Sequence, residues 1–233
     1  MKKRFWNWII KNELELEQER ELRIDGVIAE ESWFDDEISP KMFREELNAG
    51  SGKVKLWINS FGGDVFAASQ IYTMLKEYKD GVDVYIDGIA ASAASVIAMA
   101  GGVVSMSPTS LLMLHDPSTF AIGNTEEFKA AIKMLDEIKE SIINAYELKS
   151  KLPRDKISKM MTAETWLDAK KAVELGFADK ILYTENEVED SGEGLIYSYA
   201  AVTNSLFEKI KRRSFNKKIE GEQLYKRLNL LAP

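Results

Sequence analysis

The chain predicts an α/β fold with a mainly parallel sheet covered by helices. Strand-like runs alternate with amphipathic helical runs from Leu22 onward, the order that a parallel sheet with right-handed crossovers requires. Three stretches able to carry chemistry, around Gly62-Gly63, Ser92 and His115, fall at or near the ends of strand-like runs, where open α/β sheets hold their ligands. At 233 residues and 45% apolar composition there is material for one domain with a sizeable core.

Taken in order, Phe5, Trp6 and Trp8 sit in a basic, interrupted apolar start followed by acidic residues from Glu13 to Glu21. This is neither a signal peptide nor a membrane span, and residues 1–20 are expected to form an arm that docks its aromatics on a neighbouring surface. Leu22 to Ile28 alternates like a first strand, and Ser39-Pro40 opens a helix that Gly50 and Gly52 end. Val54 to Ile58 is a second strand, which turns through Gly62-Gly63 into a helix bearing Val65, Ala68, Ile71, Tyr72 and Leu75 on one face. Val82 to Asp87 is a third, running into the small, apolar helix Ser92 to Ala100.

A strand-like run Leu111 to Leu114 precedes His115, and a long helix then carries Phe128, Ile132, Leu135, Ile138, Ile142 and Tyr146 on one stripe. At ~25 residues such a helix spans about 38 Å, so part of it is expected to leave the globule as an assembly surface. Leu152-Pro153 breaks it, a short helix holds Ile157, Met160 and Met161, and Asp168 is placed as the N-cap of a helix from Ala169 to Leu175. Beyond Leu182 an acidic, glycine-bearing linker leads to an apolar patch, Leu195 to Ala201, and a basic run, Lys209 to Arg213. The domain proper is therefore 21–182, with a linker and tail at 183–233.

Composition excludes several function classes. There is no cysteine and one histidine, which rules out thiolate and multi-histidine metal sites and favours cofactor-free chemistry. A net charge of -7 offers no broad basic face for nucleic acid, and no nucleotide-binding loop is present, so any ATP dependence would belong to a partner unfoldase. A cytoplasmic protein without membrane partners is the expectation.

Ser92 stands where a strand passes into a helix, and the free N–H groups of a helix start favour a developing negative charge, as acyl transfer needs. Alone it could simply cap the helix. Gly62-Gly63 could bring a backbone N–H beside it, and His115 is the only imidazole available to activate it. Ser95, one helical turn further in, is assigned to packing.

Together Asn59-Ser60-x-Gly62-Gly63, Gly88-x-Ala90-Ala91-Ser92, His115-x-Pro117 and Ala169-x-x-Ala172-Val173-Glu174-x-Gly176-x-Ala178-Asp179 resemble the ClpP (caseinolytic) serine peptidases. The likeness is closer to the ClpP-related head maturation proteases of tailed phages and prophages, and covers about Leu22 to Leu182. It implies a ClpP/crotonase-like fold with a protruding strand-helix handle, and homo-oligomeric rings. It also implies a Ser92-His115-acid triad, with the N–H groups of Gly63 and Ala93 as oxyanion hole. Laid on the family pattern the acid falls on Glu164, where the peptidases of the proteolytic machine carry aspartate; Asp116 and Asp168 compete for the role. The implied substrates are phage scaffold, coat or portal proteins, cut in the host cytoplasm or the procapsid. The rivals are a crotonase-fold enzyme acting on an acyl-coenzyme A, an inactive ring-forming assembly protein, and a Ser-Lys dyad, against which no lysine lies near Ser92 in sequence.

Overall fold

The computed structural model describes residues 4–10, 20–29 and 40–183. In chain order these form β1 (Trp6–Ile10), β2 (Arg20–Ile28), α1 (Pro40–Asn48), β3 (Val54–Gly63), α2 (Val65–Glu77), β4 (Val82–Ala91), α3 (Ala93–Ala98), β5 (Val104–Met106) and β6 (Leu111–Leu114). Then come α4 (Thr125–Ser150), α5 (Arg154–Thr162), β7 (Thr165–Asp168), α6 (Ala169–Glu174) and β8 (Lys180–Ile181). The chain divides into Met1–Asn186 and Glu187–Pro233. Ser39, the acidic stretch after Lys11, the linker from Thr184, the patch Leu195 to Ala201 and the basic run Lys209 to Arg213 lie outside the described residues.

Period-two alternation of apolar residues builds the centre of the sheet. Leu22 and Ile24 of β2, Leu56 and Ile58 of β3, and Val84 and Ile86 of β4 are all fully buried; α3 packs on β3 and β4, and α2 packs on α3. The path β1-β2-β3-β4-β5-β8 is parallel throughout except for the antiparallel β1 at its edge. This is the mainly parallel α/β sheet that the alternation predicted.

The edge strand corrects one expectation. Phe5 and Trp6 do not dock on a neighbour: both are buried in the core of the same domain, and Trp6 pairs with Ile24 in the ladder. Trp6 Nε1 donates to Glu46 Oε2 at 2.8 Å, and its ring meets Phe43 edge-on at 5.4 Å. The physical reason is that β2 would otherwise present an unpaired edge. Residues 6–10 thus belong to the sheet, and no boundary falls at residue 20.

A second feature concerns β4, which changes partner along its length. Val84 to Ile86 pair with β5, whereas Ile89 to Ala91 pair with β6, so the sheet forks. On its other side the register with β3 slips from Ile58↔Ile86 to Ser60↔Ala90. The fork carries β6 away from β5 and hands it to β7, its antiparallel partner. The β6 arm lies along the end of β4, beside the start of α3.

Of the helices, α4 is the longest at 26 residues, about 39 Å at 1.5 Å per residue. Asn124 caps it, accepting from Glu126 N and Glu127 N while Glu127 reaches back to the Asn124 N–H. Its end is buried through Ile142, Ile143, Ala145 and Tyr146, whereas Phe128 and Ile132 near its start are 47% and 60% exposed. Residues 115–124, which lead into it, form no strand. Among the described residues no helix is long and apolar enough to cross a membrane.

Candidate active site

Three chain segments meet at the fork. β4 ends at Ala91 and α3 begins at Ala93, so Ser92 is the single residue of the corner, with φ 55° and ψ -127°. A positive φ costs a residue with a Cβ about 1–3 kcal/mol and persists only where its surroundings impose it. Here the Ser92 N–H donates to the Met113 carbonyl of β6 at 3.0 Å, and the Ser92 carbonyl accepts from Ser95 N and Val96 N. The side chain makes no capping bond to the helix. It turns instead to the imidazole, with Ser92 Oγ 2.6 Å from His115 Nε2.

His115 follows β6 directly, and because β6 lies beside Ile89 to Ala91, the strand carrying the imidazole is the neighbour of the strand that ends in Ser92. Both side chains are half-buried. The third segment is the end of β3. Its strand runs on through both glycines, where the sequence suggested a turn, because β2 keeps pairing with them as Val27↔Gly62 and Ile28↔Gly63. Gly62 has φ 96°, and a Cβ there would come within 2.7 Å of Ala91 O and 2.8 Å of Ser92 Cβ. Only a glycine lets this strand pass so close to the nucleophile corner.

Gly63, Ser92, Ala93 and His115 line one cleft of about 230 Å³, walled by apolar side chains that include Val96 and Ile138. The Ala93 N–H opens α3 and has no backbone partner among the described residues. Such a cleft brings together a hydroxyl hydrogen-bonded to an imidazole and a helix-start N–H, an arrangement that can serve acyl transfer. Among the described residues no group of three or more His, Cys, Asp or Glu side chains is placed to hold a metal ion.

The acids are placed differently. The ladder pairs Leu111↔Asp168 through Leu114↔Thr165 and ends there; His115 leaves it after β6, and Glu164 is the turn residue just before β7. Its carboxylate points to the indole: Glu164 is exposed, has φ 48°, and accepts from Trp166 Nε1 at 3.2 Å. Asp116 is engaged by Lys139 Nζ at 2.8 Å and by the Thr162 hydroxyl at 3.0 Å. Asp168 caps α6 through Lys171 N at 2.7 Å, the role the sequence assigned to it. None of the three makes a hydrogen bond to the imidazole. Of the five residues singled out for the site, Ser92, His115, Gly63 and Ala93 come together and Glu164 stands apart.

Sequence reasoning missed what lies beneath the corner. Ser95 has more than packing to do: its hydroxyl lies within hydrogen-bond distance of the Ser92 carbonyl, the Met113 carbonyl and the Tyr146 hydroxyl, while Tyr146 had been read only as part of an apolar stripe. A tyrosine and a serine on faces otherwise made of Ala, Ile and Val were the available signal, since buried hydroxyls need partners.

With the geometry in place, comparison with known proteins is specific. The family described as Clp protease matches residues 8–185. The ATP-dependent Clp protease proteolytic subunit of Deinococcus radiodurans is 27% identical over 132 residues, 56% of this chain and 65% of that protein. Proteolytic subunit 1 of Chlamydia pneumoniae is 29% identical over 152 residues, 64% of this chain and 80% of its own length. The proteolytic subunit-related protein 2 of Arabidopsis thaliana chloroplasts is 27% identical over 189 residues, 80% of this chain and 66% of that protein. The chain thus spans just under two thirds of the Deinococcus and Arabidopsis relatives.

Proposed function

The chain belongs to the Clp protease family, and from that premise we propose that it is a serine endopeptidase in which Ser92 is the nucleophile and His115 the base. The observation that carries this reading is the 2.6 Å contact between Ser92 Oγ and His115 Nε2 at the wall of an open cleft. His115 Nε2 takes the hydroxyl proton as Ser92 Oγ attacks a peptide carbonyl carbon. The N–H groups of Gly63 and Ala93 receive the oxyanion. Collapse breaks the C–N bond, the imidazolium returns its proton to the leaving amine, and a water molecule activated by the same imidazole frees the acyl group. Glu164 is assigned as the third residue on its position in the family pattern; to orient the imidazole, its carboxylate must leave Trp166 and turn to the other ring nitrogen.

The substrates are phage scaffold, coat or portal proteins, met in the host cytoplasm or the procapsid. This finer assignment rests on the likeness to head maturation proteases. Assembly into rings is supported by the stripe at the start of α4, where the apolar side chains of Phe128 and Ile132 are exposed. Phe128→Glu with Ile132→Glu should leave the domain folded and lower the sedimenting mass; an unchanged mass would remove that face from the assembly.

A fluorophosphonate probe with a fluorogenic peptide tests the reading as a whole. Labelling at Ser92 together with peptide cleavage supports it. The loose placement of Glu164 favours one second reading, an assembly protein that keeps the fold without turnover, and protein that neither labels nor cleaves would establish that reading instead.

A further inference from the structure

Tyr146 sits on the buried half of α4, 1% exposed, with its ring edge-on to Phe177. Its hydroxyl lies 2.8 Å from Ser95 Oγ, and Ser95 is itself fully buried. Ser95 Oγ in turn lies 2.6 Å from the Ser92 carbonyl and 2.9 Å from the Met113 carbonyl. Valence sets the direction of this chain. Carbonyl oxygens only accept and a serine has one proton, so Ser95 shares that proton between the two carbonyls in a three-centre bond and accepts from the tyrosine. Burial pushes the Tyr146 phenol up, which favours the protonated form that donates.

A serine inside a helix commonly bonds back to the carbonyl three or four residues earlier, and a buried tyrosine commonly finds a partner. What is particular here is where the two acceptors belong. One carbonyl is that of Ser92. The other is that of Met113, two residues before His115, which also takes the Ser92 N–H. One hydroxyl therefore ties the backbone of the corner to the strand that carries the imidazole, at the residue whose φ is 55°.

We propose that Tyr146 and Ser95 are positioning residues, whose linked hydroxyls hold the Ser92 corner against β6 and thereby set the separation of Ser92 Oγ from His115. The inference rests on the reading of Ser92 and His115 as nucleophile and base. It gives α4 a part in catalysis through its buried end.

The test compares full-length wild type with Tyr146→Phe, Ser95→Ala and the double variant. For each, kcat and KM on a fluorogenic peptide, the rate of fluorophosphonate labelling at Ser92 and the thermal midpoint are measured. Tyr146→Phe removes one oxygen and keeps the ring; kcat and labelling rate should fall together by about tenfold with KM within about twofold, since small misplacements of reacting groups act on rate. Ser95→Ala, which breaks the same chain from the other side if the first variant folds poorly, should fall at least as far, and the double variant no further. A lowered thermal midpoint with wild-type kcat and labelling in Tyr146→Phe, or additive losses in the double variant, overturns the proposal. Wild type that fails to label and cleaves no faster than Ser92→Ala overturns the reading of the site beneath it, and the proposal with it.

Discussion

The Ser92 corner and the Glu164 segment, proposed as nucleophile and acid, are held in unequal ways. Ser92 is fixed by hydrogen bonds to its N–H and its carbonyl, by glycine at position 62, and by buried hydroxyls below. Glu164 lies exposed at the end of a four-residue strand, and one hydrogen bond from Trp166, two residues along the chain, takes its carboxylate. The difference teaches that one part of the proposed site is built into the core while the other rests on a local choice of rotamer. A surface contact of that kind exchanges at little cost, whereas the corner cannot shift without unmaking buried bonds.

The largest effects belong to the rigid half. Ser92→Ala and His115→Ala should each lose ~10⁶ in kcat, the scale at which serine hydrolases respond to loss of nucleophile or base. Measured cleavage near wild type in either would dissolve the comparison. Glu164→Gln comes next. If the carboxylate turns to His115 during turnover, kcat should fall by up to ~10⁴, as on losing a triad acid. A change within about tenfold would mean that the flexible half is no part of the machinery and would direct attention to Asp116, already held by Lys139 and Thr162.

Gly62→Ala probes how tightly the corner is packed. The new methyl would meet Ala91 O and Ser92 Cβ at a positive φ, so about 2 kcal/mol of stability and ~10²-fold in kcat should go together. Lost stability with full activity would show that the corner yields more than its bonds suggest. Smallest of all, Trp166→Phe removes the N–H that holds Glu164 and keeps most of the ring. A rise in kcat of no more than about threefold is the expected outcome in steady-state assays, because an exposed hydrogen bond contributes little. A large fall would give the indole a role of its own.

The same inequality governs what could be read from the chain. Ser92 and His115 were legible because each is a polar residue set in an apolar run, at a strand end, and both settled where the order of elements put them. The central strands were legible through their alternation, since Leu22, Leu56 and Val84 must face the same layer. β1 was not, because Trp6-Asn7-Trp8 becomes a strand only by pairing with residues from Arg20 to Ile24, a non-local event. The three residues of β5 are too few to show a period. The proposed acid was half legible: the family pattern pointed to Glu164, but the direction of its side chain depends on Trp166, and no spacing encodes a rotamer.

His115 is the only histidine of the 233 residues. Its imidazole carbon-bound protons therefore form a single pair of lines in a proton NMR spectrum of the protein, with no other histidine to overlap them. Because Nε2 faces Ser92 Oγ, those lines act as an internal gauge of the site. The chain thus carries its own spectroscopic probe at the point where the proposed chemistry occurs.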